Sequence, residues 1–233
     1  MSIVLQVRQD LKDQVDQEHK ERSGSFSKED YQSYGVRTPD VRAIAKKYWR
    51  QIRRLQVEEI FSLCEELLES RISEEQTVAF AWVFSLKSRL KPEHNEIFYQ
   101  WLEKYVDTWF KCDDFCTHAF GYLLYKYPRL VTQVLDWAES DNRWIRRAAA
   151  VALLYSLRKK EQFELALQVA DKLLMDEDDL VQKGYGWMLK EATKHWPEEV
   201  FKFVCERKDK MPRTALRYAI EKLPKEKKKI AMS

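Results

Sequence analysis

The stretches WIRRAAAVALL (144–154) and LVQKGYGWMLK (180–190) lie 36 residues apart and share one pattern, with Ala148 and Gly184 in equivalent places. Apolar residues recurring at three and four in both describe helices buried along one face. The small residues mark where helices of neighbouring units approach closely.

Working outward, helix-start signals recur at the same interval: Thr38 before Pro39, Ser73 with Gln76 as a capping box, Thr108, Asn142 after Asp141, Asp178, and Met211 before Pro212. The intervals are 35, 35, 34, 36 and 33 residues. Each leaves room for two helices, for example 56–70 then 73–90, or 128–140 then 143–158. Tandem helix pairs of this length predict an all-α superhelix, a solenoid of about six HEAT-like pairs. The Trp, Gly, Tyr and Pro pattern of tetratricopeptide repeats is absent, and the alternative is a helical bundle with accidental spacing. Residues 1–225 read as a single repeat domain. The end, KLPKEKKKIAMS, reads as frayed, with 226–233 a charged tail.

Composition agrees. Glycine (5) and proline (6) are about 5% of the chain against roughly 12% in average usage, too little punctuation for many β-turns. With 8 Trp, 11 Tyr, 11 Phe and 34% charged residues, bulk disorder is excluded. No apolar run reaches the roughly 18 residues of a membrane span, and the start, MSIVLQVRQDLKDQ, turns charged early. The expectation is a soluble, cytoplasmic protein, monomeric, with no membrane partner and with Cys64, Cys112, Cys116 and Cys205 as reduced thiols. The net charge of +3 says little until the basic residues are placed.

Arg143 and Arg147 are four apart with Arg146 beside them, clustered near one helix end. Lys183, Trp187 and Lys190 fall at i, i+4 and i+7, and Arg42, Lys46 and Trp49 follow a similar course after Thr38. Basic residues with tryptophans on equivalent helices form the footprint of a polyanion site; the bland reading is solvated faces with snorkelling lysines. In TWFKCDDFCTHAFGYLL (108–124), Phe110 and Asp114 are four apart, with Trp109 and Asp113 just before each. A carboxylate among aromatics can stabilise a cationic transition state or position a water. It can equally be a first-turn aspartate serving the helix dipole. Cys112, Cys116 and His118 match no zinc spacing, so no metal site is assigned.

The segments YGVRTPDVR (34–42), TWFKCDD (108–114), SDNRWIRRAA (140–149) and QKGYGWMLKEA (182–192) resemble the AlkD-like DNA alkylation repair family of HEAT-like alkylpurine glycosylases, over about residues 1–225. The resemblance implies a concave basic cleft holding double-stranded DNA. It also implies excision of cationic alkylpurines such as 3-methyladenine and 7-methylguanine without a base-flipping pocket, without a cofactor, and in the cytoplasm on nucleoid DNA. It puts the catalytic carboxylate at Asp114, the cleft arginine at Arg147 and wall aromatics at Trp109, Phe110 and Trp187. It matches the Thr38, Arg42 and Lys46 stretch to the part of the family that grips phosphates, and with the basic helix faces the expected DNA contacts are Tyr31, Thr38, Arg42, Lys46, Arg143, Arg146, Lys183 and Lys190. Two departures stand out: Phe110 replaces a second tryptophan, keeping a π face but no N–H donor, and near Tyr31 the family aromatic is altered, with Phe26 a candidate replacement. Two alternatives stay open, a non-catalytic relative binding damaged or branched DNA and a HEAT-type protein-interaction scaffold.

Overall fold

In the computed structural model, which describes residues 2–24 and 31–233, helices account for nearly every regular element. They are α1 (Ile3–Asp13), α2 (Gln17–Gly24), α3 (Thr38–Ile52), α4 (Val57–Glu69), α5 (Ser73–Ser85), α6 (His94–Tyr105), α7 (Trp109–Phe115), α8 (Gly121–Lys126), α9 (Pro128–Val131), α10 (Val134–Trp137), α11 (Arg143–Val151), α12 (Leu154–Arg158), α13 (Phe163–Lys172), α14 (Asp179–Ala192), α15 (Pro197–Arg207), α16 (Arg213–Ala219) and α17 (Lys225–Met232). A π turn, Cys116–Phe120, precedes α8. The chain divides into two compact units, Met1–Phe115 and Cys116–Ser233.

The helices α3, α5, α7, α11, α14 and α16 begin at or within two residues of the six expected starts. Asn142 and Asp178 cap as their chemistry predicts: Asn142 Oδ1 accepts the Trp144 N–H at 2.9 Å, and Asp178 Oδ1 accepts the Leu180 N–H at 2.8 Å. Ser73 does not form the expected capping box. Its N–H donates to Gln32 O at 2.9 Å, and Gln76 is fully buried, its amide donating to Leu68 O and Tyr105 O at 3.2 Å each. That amide ties the ends of α4 and α6 to α5, which serves packing rather than the helix start.

In the first unit α5 is the central element. It packs against α3, α4 and α7, and residues on all its sides are buried. Trp82 Nε1 donates to Ala45 O at 2.9 Å, fixing α5 on α3. Phe80 stacks on Phe115 with centroids 4.7 Å apart, and Phe98 and Trp101 extend that aromatic core into α6.

In the second unit α14 packs between α11 and α16. Gly184 lies under Arg147 of α11, the close approach expected of the small residue. Gly186 is tighter: a Cβ there would stand 2.7 Å from Tyr218 Cβ and 2.9 Å from Ala215 O of α16. Ion pairs link each helix pair to the next. Arg143 meets Asp178 (2.7 Å), Arg146 meets Asp176 (2.6 Å) and Lys190 meets Glu221 (2.6 Å), while Lys172 pairs with Glu139, Arg207 with Asp171 and Lys227 with Glu198. The partners are 29 to 36 residues apart, so the repeat interval reappears in the electrostatics.

The segment expected as a frayed charged tail is instead the helix α17. Lys227 carries its ammonium over the Phe201 ring at 5.1 Å, Ala231 is buried, and Lys208 donates to Ile230 O at 3.2 Å. Aliphatic lysine stems and the Pro224 start dock a segment whose charge count alone suggests solvent. No described helix is long and apolar enough to cross a membrane.

Gly186→Ala is expected to lower stability by about 1–3 kcal/mol, outweighing the gain of about 1 kcal/mol that alanine brings to a helix. Thermal unfolding checks this, and an unchanged or raised midpoint contradicts the close approach of α14 and α16.

Candidate functional site

Three features of the first unit bring its candidate side chains together. Thr38, Arg42 and Lys46 fall at i, i+4 and i+8 of α3 and are all exposed, so they form one polar stripe alongside the buried face of Val41, Ile44, Ala45 and Tyr48. Helix α5 packs on both α3 and α7. On α7, Lys111 and Phe115 point inward, which leaves Phe110 and Asp114 half-buried on another face.

Arg42 reaches Asp114 across this arrangement, with Nη2 donating to Oδ1 at 3.1 Å. The carboxylate is 20% exposed and the guanidinium 52%. A hydrogen bond to a charged partner at that distance aligns the acid as well as balancing it. Three half-buried rings meet around Phe110, one helical turn before Asp114 on α7. Tyr31 meets Phe110 edge-on with centroids 5.1 Å apart, and Phe110 meets Trp109 edge-on at 5.7 Å. Such rings present negative π faces to a cation. Phe26, the other aromatic singled out by sequence, lies outside the described residues.

Lys111 anchors α7 from behind. It is buried, and its ammonium donates to Asp107 at 2.7 Å and to Arg71 O at 3.5 Å. Burial pulls its pKa below the usual lysine value, against the opposing pull of Asp107.

The basic residues of the second unit are held by groups of the same unit. Arg147, expected as a cleft arginine, is buried at 5% exposure, and its guanidinium donates to Leu180 O in the first turn of α14. Arg146 is held by Asp176 and by Ser140 O and Asp141 O. Arg143 pairs with Asp178 and lies over the Trp144 ring at 4.8 Å. Lys183 pairs with Asp179 at 2.8 Å and Lys190 with Glu221, and between them on α14 Trp187 is half-buried. Every basic residue proposed there has a protein partner. For all but Arg147 the partner is an acid, Asp176, Asp178, Asp179 or Glu221, each standing near a helix start or end.

No local sequence pattern joins Arg42 to Asp114. A signal existed: they stand on α3 and α7, two repeat intervals apart, on helices that both pack on α5. Among the described residues, no group of three or more His, Cys, Asp or Glu side chains suits a metal ion. All four cysteines are free thiols, three of them buried.

A solved structure described as a predicted DNA alkylation repair enzyme from Enterococcus faecalis matches with a TM-score of 0.81 at 20% identity, covering 91% of this chain and 98% of that one. That likeness is one of fold. None of the curated proteins compared matches the chain. The sequence profile described as DNA alkylation repair enzyme matches residues 7–223. Spanning nearly the whole sequence, that match shows that the chain belongs to the DNA alkylation repair enzyme family.

Proposed function

We propose that this chain, as a monomer, binds double-stranded DNA and hydrolyses the N-glycosidic bond of cationic alkylpurines such as 3-methyladenine and 7-methylguanine. The observation that carries the reading is the Asp114–Arg42 pair, with Phe110 one turn before Asp114 on α7 and in edge-on contact with Tyr31 and Trp109. An alkylated purine with a positive charge is already a good leaving group. When the C1′–N bond breaks, its electron pair goes to the base and neutralises it, and the positive charge passes to the sugar as an oxocarbenium-like centre. Asp114 stabilises that centre and orients the attacking water, as carboxylates do in sugar hydrolysis. The aromatic faces add cation–π stabilisation. Water then bonds to C1′ and passes its proton to the Asp114 carboxylate, which returns it to solvent, leaving an abasic sugar.

Binding falls to exposed cations. Arg42 gives Asp114 one of its donors and keeps others for a phosphate, and Lys46 and Thr38 continue the stripe. Lys183 and Lys190, part-exposed in their ion pairs, can exchange a carboxylate for a phosphate at small cost, because exposed pairs are worth only about 0–1 kcal/mol. Arg147 is left to hold α14.

A second reading, a relative that binds damaged or branched DNA without cutting a glycosidic bond, is favoured by Phe110, whose π face is weaker than that of the tryptophan the resemblance expects.

Incubation with methylated DNA separates the two. The wild-type protein is expected to release 7-methylguanine, and Asp114→Asn to lose about a hundredfold in rate while DNA affinity stays within about threefold. Phe110→Trp is expected to raise the rate by up to about tenfold. A wild-type protein that releases no alkylated base overturns the catalytic reading, and affinity for a junction above that for plain duplex then establishes the second. Lys46→Gln is expected to reduce the salt slope of DNA affinity by about one, measured by titration at several salt concentrations; an unchanged slope removes Lys46 from the interface.

A further inference from the structure

Glu74 stands in the first turn of α5, buried, and its carboxylate gathers four donors from one loop. Oε1 accepts the Gly35 N–H at 2.8 Å, the Val36 N–H at 3.0 Å and the Ser33 hydroxyl at 2.7 Å, while Oε2 accepts the Tyr34 N–H at 3.1 Å. A charge taken out of water persists only where such donors replace the lost hydration. Successive backbone N–H groups turned towards one anion form a nest, and the start of α5 adds a favourable field. The nest depends on Gly35, whose φ of +93° suits glycine and whose missing Cβ would stand 2.5 Å from Lys20 Cβ. Glu75 beside it accepts the Tyr34 hydroxyl at 2.7 Å and pairs with Arg8 at 2.9 Å.

The loop so gathered, residues 31–37, has one extended pairing, the bridge between Gln32 and Ile72. At one end it carries Tyr31, whose ring meets Phe110. At the other it enters α3 at Thr38, one turn before Arg42.

We propose that Glu74 is a positioning residue of the Asp114 site: by drawing together the donors of residues 33–36 it holds Tyr31 against Phe110 and fixes the start of the helix that presents Arg42. The consequence for base release rests on the proposed glycosylase reading; the positioning itself does not.

Tyrosine-labelled protein tests it by nuclear magnetic resonance, with the Tyr31 ring signal assigned by Tyr31→Phe. Phe110→Leu is expected to move that signal, and Glu74→Gln to move it in the same sense while the signal of Tyr185 in the second unit stays in place. Glu74→Gln is further expected to slow base release by about tenfold at saturating protein, with DNA affinity within about threefold, and to add a smaller loss in a Tyr31→Ala background, where only the route through Arg42 remains. A Tyr31 signal unmoved in Glu74→Gln overturns the proposal, as do losses that multiply in the double variant. Should Glu74→Gln fail to fold, Ser33→Ala removes one donor and keeps the charge; a smaller shift of the same sense supports the proposal and an unmoved signal overturns it. A wild-type protein that releases no base sinks the glycosylase reading alone, since the Tyr31 signal still decides the role of Glu74.

Discussion

A helix pair of about 35 residues leaves an apolar face that its own two helices do not cover, and a neighbouring pair must cover it. The buried surroundings of α5 and of α14 follow from that constraint, since each lies between two other helices of the same unit. So does the electrostatics. Once successive pairs stack, a charged side chain at a helix end finds its nearest opposite charge one interval along the chain. Arg143 with Asp178, Arg207 with Asp171 and Lys227 with Glu198 are the result. Most of these pairs are exposed and individually weak. Arg146 with Asp176 is more enclosed and more costly to break, because a lost partner leaves a nearly buried carboxylate, 8% exposed, without its counter-charge.

The same stacking builds the candidate site. Arg42 and Asp114 are 72 residues apart, two intervals, and the path between them runs through α5. Helix α5 also supplies Glu74, so one central helix sets both the spacing of the stripe from the carboxylate and the course of the loop that bears Tyr31. In the second unit the equivalent basic positions are occupied by internal pairs and by Arg147, which packs over Gly184 and serves the helix interface. The proposed chemistry and DNA contacts therefore draw on fewer basic residues than a count of lysines and arginines suggests.

What was legible in the sequence was what local chemistry decides. Asn142 and Asp178 are caps because a short polar side chain before a helix satisfies its own backbone, wherever the helix packs. Phe110 and Asp114 share a face because of helical geometry alone. What depended on partners distant in sequence was not legible. Ser73 and Gln76 have capping-box spacing, yet the buried carbonyls of Leu68 and Tyr105 take the Gln76 amide. The lysines of α17 look solvated until Phe201 and Glu198 are placed beside them. Arg147 looks like a free cation until Leu180 O and Gly184 are seen to enclose it. Glu74 reads as an ordinary first-turn acid, and only the loop folded against it reveals four donors.

Under the proposed function, Arg42 and Asp114 act as one unit in breaking the glycosidic bond. A double-mutant cycle on single-turnover release of 7-methylguanine, with Arg42→Gln, Asp114→Asn and the double variant at saturating protein, measures it most directly. Coupling is predicted: each single change slows release, and the double variant is little slower than Asp114→Asn alone. Losses that multiply as independent factors, or an Asp114→Asn variant as fast as wild type, would contradict the claim.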